Sequence, residues 1–368
     1  MKKIIVSGGG TGGHIYPAVA VAEALKEHYG DDVELLFVGA EGRMEMQKVP
    51  ELGYNIVGLP IAGLQRRFDW HNIEVPFKLM KSIRKAKRVI KEFGADLVIG
   101  FGGYASAPIL WAAQKQGVPT MIQEQNSFAG LTNKILARKA KHICVAYDGM
   151  EKFFPKEVIT LTGNPLRGVL GKRIVDNGEA LEYFGFSEEK PVVLVVGGSL
   201  GTRTLNEVMK KWLDENSESE KREVQVIWQT GKFYEREMEK FCEGRDMKGV
   251  WRGAFIERMD LAYEAASVVV SRSGACTVSE LCLLGKATIF VPSPNVAEDH
   301  QTCNARALSD KGAALMIKDV EAVGRCLESA TELVKDKERL KDIELRVKEL
   351  ATPNAAKDIV KIAAKLLK

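Results

Sequence analysis

Three glycine-rich stretches stand out as places where backbone groups could do chemistry. They are Gly8-x-Gly10-x-x-Gly13, Gly100-Phe101-Gly102-Gly103-Tyr104-Ala105-Ser106, and Gly197-Gly198-Ser199-Leu200-Gly201, and each follows an apolar run. Glycines at this spacing allow a tight turn and bring backbone N–H groups up to a phosphate at a helix N-terminus. Ser199 adds a hydroxyl to the last stretch, which makes it the better anion cradle. The first stretch matches the dinucleotide fingerprint literally. Its second strand, however, runs Leu35-Leu36-Phe37-Val38-Gly39 into Ala40, with Glu41 only beyond, so the acid that should hold a ribose is misplaced. A nicotinamide site and a turn needed only for close strand–helix packing are both open readings of that loop.

The loops need strands and helices to hold them. Short β-branched runs at 3–7, 34–39, 96–100, 118–122, 192–196, 224–229, 267–271 and 287–291 lack strict alternation. That pattern predicts strands buried on both faces, as in parallel sheets covered by helices. Between them, 17–28, 77–93 and 204–213 carry apolar residues at helical spacing. The order predicts an α/β doubly wound class. Because the strand–glycine–helix opening of residues 2–13 recurs at 191–201, we expect two tandem Rossmann-like domains with a crevice between them. The expected division is 1–163, 164–350 and a C-terminal helix at 351–368. That helix carries Ile359, Ile362, Ala363 and Leu366 on one stripe and could pack back on the first domain. Gly163-Asn164-Pro165 and Asp176-Asn177-Gly178 supply turn chemistry for a linker.

Composition narrows the class. The chain has 368 residues, 45% hydrophobic and 28% charged, enough for two ordinary cores. A net charge of +4 excludes a dedicated nucleic-acid binder. It conceals an asymmetry: residues 1–163 hold 21 Lys+Arg against 16 Asp+Glu, and the remainder holds 32 against 33. No run of 18 apolar residues exists, and the apolar start before Gly8 is too short for a signal-peptide core, so a cytoplasmic location is expected. The six cysteines form no C-x-x-C pair, so neither a disulfide framework nor a zinc site is expected.

Longer phrases carry a more specific resemblance. These are Gly9-Gly10-Thr11-Gly12-Gly13-His14-Ile15-Tyr16-Pro17, Gly102-Gly103-Tyr104-Ala105-Ser106-Ala107-Pro108, Glu124-Gln125-Asn126-Ser127-Phe128-Ala129-Gly130 and Thr162-Gly163-Asn164-Pro165-Leu166-Arg167. The second half adds 197–201, Ser271-Arg272-Ser273-Gly274-Ala275-Cys276-Thr277-Val278-Ser279-Glu280 and Asp299-His300-Gln301-Thr302-x-Asn304-Ala305. In order, from residue 8 to 305, they resemble glycosyltransferase family 28, the GT-B enzymes that move GlcNAc from UDP-GlcNAc to lipid I in peptidoglycan synthesis. Two positions depart from that pattern. Gln123 stands where many relatives have His, and Thr202 replaces an alanine after Gly201.

The resemblance implies an inverting transfer, with an N-terminal domain for the lipid acceptor and a C-terminal domain for the donor. Donor binding would fall to Thr11, Gly12, Gly13, Asn126, Arg167, Ser199, Ile256, Ala275, Cys276, Thr277, Val278, Ser279, Glu280 and Gln301. Among these, Ser199 and Arg167 are candidates for the departing diphosphate, Glu280 for the ribose diol, Ile256 for uracil and Gln301 for the sugar hydroxyls. Cys276 reads as a small packing residue. Gly102, Gly103, Tyr104 and Gln125 would lie on the acceptor side. His14 is the preferred base, since an ordinary imidazole titrates at about pH 6.5. The alternatives are that His14 only caps its loop or binds diphosphate, that Glu124 is the base, or that no strong base is needed. No Asp-x-Asp is present, so no metal or other cofactor is expected.

Between residues 66 and 91 lie nine Lys/Arg against Asp69 and Glu74, interleaved with Phe68, Trp70, Ile73, Phe77, Met80 and Ile83. Such a stretch is either a solvated helix face or a contact for an anionic bilayer. Since the acceptor's lipid cannot leave the membrane, peripheral attachment through Phe77, Met80, Lys81, Arg84, Lys85 and Arg88 is expected, on the cytoplasmic face. Partners are then UDP-GlcNAc, lipid I and the membrane surface, with cell-wall and division proteins as candidates and no nucleic acid. The competing readings are another UDP-sugar GT-B enzyme (a UDP-GlcNAc 2-epimerase or a different lipid glycosyltransferase), a nicotinamide oxidoreductase, and a non-catalytic nucleotide-binding scaffold.

Overall fold

A computed structural model describes residues 1–61, 75–166 and 176–367. The chain divides into two compact units, Met1–Gly168 with Thr352–Lys368, and Val169–Ala351. These limits fall a few residues beyond the divisions at 163/164 and 350/351 drawn from sequence.

In the first unit the strands are β1 (Lys2–Ser7), β2 (Val33–Ala40), β3 (Ile56–Leu59), β4 (Leu97–Gly100), β5 (Thr120–Glu124), β6 (His142–Val145) and β7 (Ile159–Leu161). They form one parallel sheet in the order β3-β2-β1-β4-β5-β6-β7. Helices α1 (Gly12–Tyr29), α2 (Glu45–Glu51), α3 (Val75–Phe93), α4 (Ala107–Gln116) and α5 (Leu131–Ala137) connect them. Successive side chains of a strand point to opposite faces, and both faces here are covered. Ile5 and Val98 pack under α3, α4 and α5. Ile4, Val6, Leu97 and Ile99 pack under α1. Helix α1 starts at Gly12, inside the glycine stretch, and Pro17 is buried within it.

The second unit repeats the plan with β8 (Val192–Val196), β9 (Gln225–Gln229), β10 (Val250–Gly253), β11 (Val268–Ser271), β12 (Thr288–Phe290) and β13 (Leu315–Met316). Their order is β10-β9-β8-β11-β12-β13, again parallel. Its helices are α6 (Asn177–Phe184), α7 (Arg203–Glu215), α8 (Glu235–Cys242), α9 (Met259–Ala265), α10 (Ala275–Leu284), α11 (His300–Ser309), α12 (Ala322–Lys335) and α13 (Lys337–Glu349). Asp176 caps α6 by accepting from the N–H groups of Gly178 and Glu179.

In each sheet the strand order reverses beside the first strand, between β1 and β4 and between β8 and β11. Loops leaving neighbouring strands at such a point diverge and open a ligand crevice. The glycine stretches at 8–13 and 100–106 leave one switch point, and 197–201 leaves the other.

The last helix, α14 (Ala355–Leu366), belongs to the first unit. Ile359, Val360, Ala363 and Leu367 join the core under α1, and Lys2 Nζ donates to the Leu367 carbonyl at 2.7 Å. Ile359→Ala should therefore cost about 2–4 kcal/mol. The exposed Lys357→Ala should stay within about 0.5 kcal/mol, with urea unfolding as the measurement. Equal midpoints for the two variants would remove α14 from the core.

Candidate active site

In the second unit the residues following β8, β9 and β11 line a cleft of about 430 Å³. Gly198 and Gly201 turn the loop after β8 with φ of 83° and 82°. Gln229 clamps that loop: its Nε2 donates to the Gly198 carbonyl at 2.8 Å, and its Oε1 accepts from the Ile256 N–H at 3.2 Å. Thr202, the departure noted in sequence, donates its hydroxyl to the Gly197 carbonyl at 3.2 Å and so keeps the turn.

Ser199, Thr277, Glu280 and Gln301 meet on the cleft wall. Ile256 lies behind it, and Ala275, Cys276, Val278 and Ser279 belong to the same first turns of α10 that carry Thr277 and Glu280. Glu280 is the most perturbed acid there. Burial pushes its carboxyl up to about 7, opposed by the Tyr263 hydroxyl 3.5 Å away. Burial, and then Glu280, push the Cys276 thiol up to about 12, as befits a packing residue. Gln301 is held from two sides. Its Oε1 accepts from the Ser293 N–H at 2.9 Å, and its carbonyl accepts from Ser273 Oγ at 2.8 Å.

Sequence reasoning missed Gln229, Phe255, Met259 and Tyr263 as parts of this wall. They lie outside the glycine phrases, and only the folded sheet brings them to the cleft. Arg272 also lines it, but its guanidinium pairs with Asp319 at 2.5 Å and donates to the Val291 carbonyl at 2.8 Å.

The first unit gathers the other set at its sheet's C-terminal edge. His14 Nδ1 lies 3.0 Å from the Gly9 carbonyl and 3.3 Å from Thr11 Oγ1. Gly102 and Gly103 close over the imidazole; a Cβ on Gly103 would come within 2.6 Å of the Gly9 carbonyl. Under the turn sits Glu45, which sequence reasoning did not single out. Fully buried, it accepts from the N–H groups of Gly10 and Ala40, both at 3.0 Å. Tyr104 neighbours it, its phenol pushed up chiefly by burial, while Arg43 acts the other way.

Glu124 is buried and engaged on both oxygens. It accepts from the N–H and Nδ2 of Asn126 at 3.1 and 3.3 Å, the Gly130 N–H at 3.1 Å and Asn133 Nδ2 at 2.8 Å. Such a carboxylate shapes its loop. Gln125 Nε2 donates to the Phe101 carbonyl at 2.8 Å, and Gln123, standing where an imidazole was noted in relatives, donates to Asn164 Oδ1 at 3.1 Å.

On α3, Phe77 and Met80 are 68% and 50% exposed, and Lys81, Arg84 and Arg88 face solvent. Lys85, on the same helix, pairs with Glu41 at 2.9 Å. Arg66, Arg67, Phe68, Asp69, Trp70, Ile73, Glu74 and Arg167 lie outside the described residues. Among the described residues no helix is long and apolar enough to cross a membrane, and no group of His, Cys, Asp or Glu is placed to hold a metal.

Comparison with known proteins matches residues 4–145 to the glycosyltransferase family 28 N-terminal domain and residues 192–360 to the family's C-terminal domain. The chain belongs to glycosyltransferase family 28. Within the family it is 52% identical to the UDP-N-acetylglucosamine–N-acetylmuramyl-(pentapeptide) pyrophosphoryl-undecaprenol N-acetylglucosamine transferase of Parabacteroides distasonis, over 99% of this chain and 98% of that one. It is 51% identical to the enzyme of the same name from Porphyromonas gingivalis, over 99% and 96%. The crystal structure of Acinetobacter baumannii MurG superposes with a TM-score of 0.77 at 29% identity, covering 99% of this chain and 100% of that one.

The raised Glu280 carboxyl has a consequence for stability. Between about pH 4.5 and 7 the folded family 28 chain keeps a proton on Glu280 that the unfolded chain has lost. The native state binds more protons there, so this group's contribution to stability falls as pH rises through that window. Glu280→Gln should therefore gain thermal stability over wild type on going from pH 4.5 to 7.5. A difference that stays constant across that range would show that Glu280 ionises normally.

Proposed function

We propose that this chain moves GlcNAc from UDP-GlcNAc to the MurNAc 4-hydroxyl of lipid I, forming lipid II in peptidoglycan synthesis. The observation that carries this reading is the relationship at half identity, over nearly the whole length, to transferases of that name. The alternative of an epimerase with the same fold is not favoured by those relatives. In our reading the cleft of the second unit takes the donor. Glu280 as a carboxylate accepts both ribose hydroxyls, and Gln301 faces the sugar. Ile256 already spends its N–H on Gln229, so its carbonyl is the group for uracil. The loop at 197–201 meets the diphosphate.

The displacement is inverting. The acceptor oxygen forms its bond to the anomeric carbon as the bond to the diphosphate oxygen breaks, and that electron pair leaves with UDP. His14 takes the acceptor proton. Glu124 is the weaker candidate because its oxygens already accept from Asn126, Gly130 and Asn133. UDP release from UDP-GlcNAc should depend on a lipid I analogue; release without it would turn the reading toward the epimerase. His14→Ala should lower kcat by about 10²–10⁴-fold with the donor KM nearly unchanged. Near-normal turnover would remove His14 from the role.

The enzyme also docks peripherally on the cytoplasmic face of the bacterial membrane, through α3 and its neighbours. Support comes from exposed apolar residues among cations: Phe77 and Met80 on α3, Trp111 on α4 beside Lys87 and Lys115, and Leu131 and Ile135 on α5. Flotation with anionic vesicles should weaken at least severalfold when Lys81, Arg84 and Arg88 are changed to Gln, since each cation near such a surface contributes about 1 kcal/mol. Equal flotation of the two proteins would sink this assignment.

A further inference from the structure

Glu45 has no part in the reaction as drawn, yet its surroundings are built around it. A carboxylate removed from water is tolerated only where donors replace the lost hydration. Here the donors are two backbone N–H groups, from Ala40 at the end of β2 and from Gly10 in the turn after β1. Two glycines make room for it. A Cβ on Gly9 would collide with the carboxylate, and one on Gly39 would lie 2.5 Å from Glu45 Cγ.

The Gly10 N–H is one end of a planar peptide group whose other end is the Gly9 carbonyl. That carbonyl is the oxygen 3.0 Å from His14 Nδ1. One rigid group therefore joins a buried carboxylate to the imidazole. A carbonyl can only accept, so the nitrogen facing it must carry the proton, and in neutral imidazole the lone pair then sits on Nε2.

We propose that Glu45 is a positioning residue for His14, acting through the Gly9–Gly10 peptide group. The charged acceptor strengthens the bond from the Gly10 N–H, and the polarised peptide makes the Gly9 oxygen a better acceptor for Nδ1–H. When the acceptor hydroxyl's proton arrives on Nε2, the imidazolium's positive charge is met, one peptide away, by the carboxylate. The logic is that of a base oriented by a carboxylate, with a backbone amide inserted between them. Among the described residues Tyr104 is a titratable neighbour of Glu45, and it bonds in turn to Arg43. This inference deepens the reading of His14 as base and rests on it.

Selective ¹⁵N-histidine labelling reads the tautomer directly, and the chain has only five histidines to resolve. Wild-type His14 should be the Nδ1–H tautomer, and the Gly10 amide proton should lie well downfield of ordinary amides. Glu45→Gln should shift His14 toward the Nε2–H form and lower kcat about 10–100-fold, with the donor KM within about threefold. Combined with His14→Ala it should cost nothing further, because the two act as one unit. An Nε2–H tautomer or an ordinary Gly10 shift in wild type would overturn the proposal, even if Glu45→Gln does not fold. So would a folded Glu45→Gln enzyme with unchanged tautomer and kcat. Near-normal turnover of His14→Ala alone would instead overturn the base reading, leaving the tautomer data to decide whether Glu45 orients the ring.

Discussion

A carboxylate keeps its charge away from water only if donors stand where water stood, and three buried acids in this chain meet that demand differently. Glu45 draws the ends of β1 and β2 together through the N–H groups of Gly10 and Ala40. Glu124 gathers Asn126, Gly130 and Asn133, and so fixes the loop between β5 and α5. Glu280 has a phenol 3.5 Å off and holds its proton to about 7. The first two acids have their partners already in place. The third, with Tyr263 beside it, is the acid we propose for a ligand's hydroxyls.

The two units solve one topological problem with different clamps. Each turns a glycine loop out of its central strand at a point where the strand order reverses. Beneath the first loop lies a carboxylate that already occupies the Gly10 N–H, and its negative charge is a poor neighbour for a phosphate. Beneath the second lies Gln229, a neutral amide that fixes the Gly198 carbonyl. The same backbone shape therefore presents an electrostatically different surface in each unit. This difference is a reason for proposing the second loop as the diphosphate's contact.

What sequence could reveal follows from the same physics. Central strands such as β1, β4, β8 and β11 read clearly because burial on both faces demands continuous apolar residues. The edge strands β3, β7, β10 and β13 are short and half covered, and their patterns were missed. So was β6, only four residues long. The phrases that drew attention to His14, Ser199 and Glu280 are local, whereas Glu45, Gln229 and Tyr263 act on groups distant in the chain. The spacing Gly8-x-Gly10-x-x-Gly13 suggested a phosphate turn; in the fold Gly9, inside it, also leaves room for the Glu45 side chain. The pairing of Lys85 with Glu41, 44 positions away, was likewise invisible to local spacing.

The placement of α14 bears on how the protein is made. Lys2 and Leu367, 365 positions apart, share a hydrogen bond, and Ile359, Val360 and Ala363 complete the hydrophobic layer over α1. A ribosome releases the first unit's strands early but its helix α14 only after every residue of the second unit. The unit synthesised first is thus completed only after the second, and the layer over α1 lacks its cover until α14 emerges. Nascent chains of this architecture carry an unfinished apolar layer until α14 emerges, and such exposed layers favour aggregation.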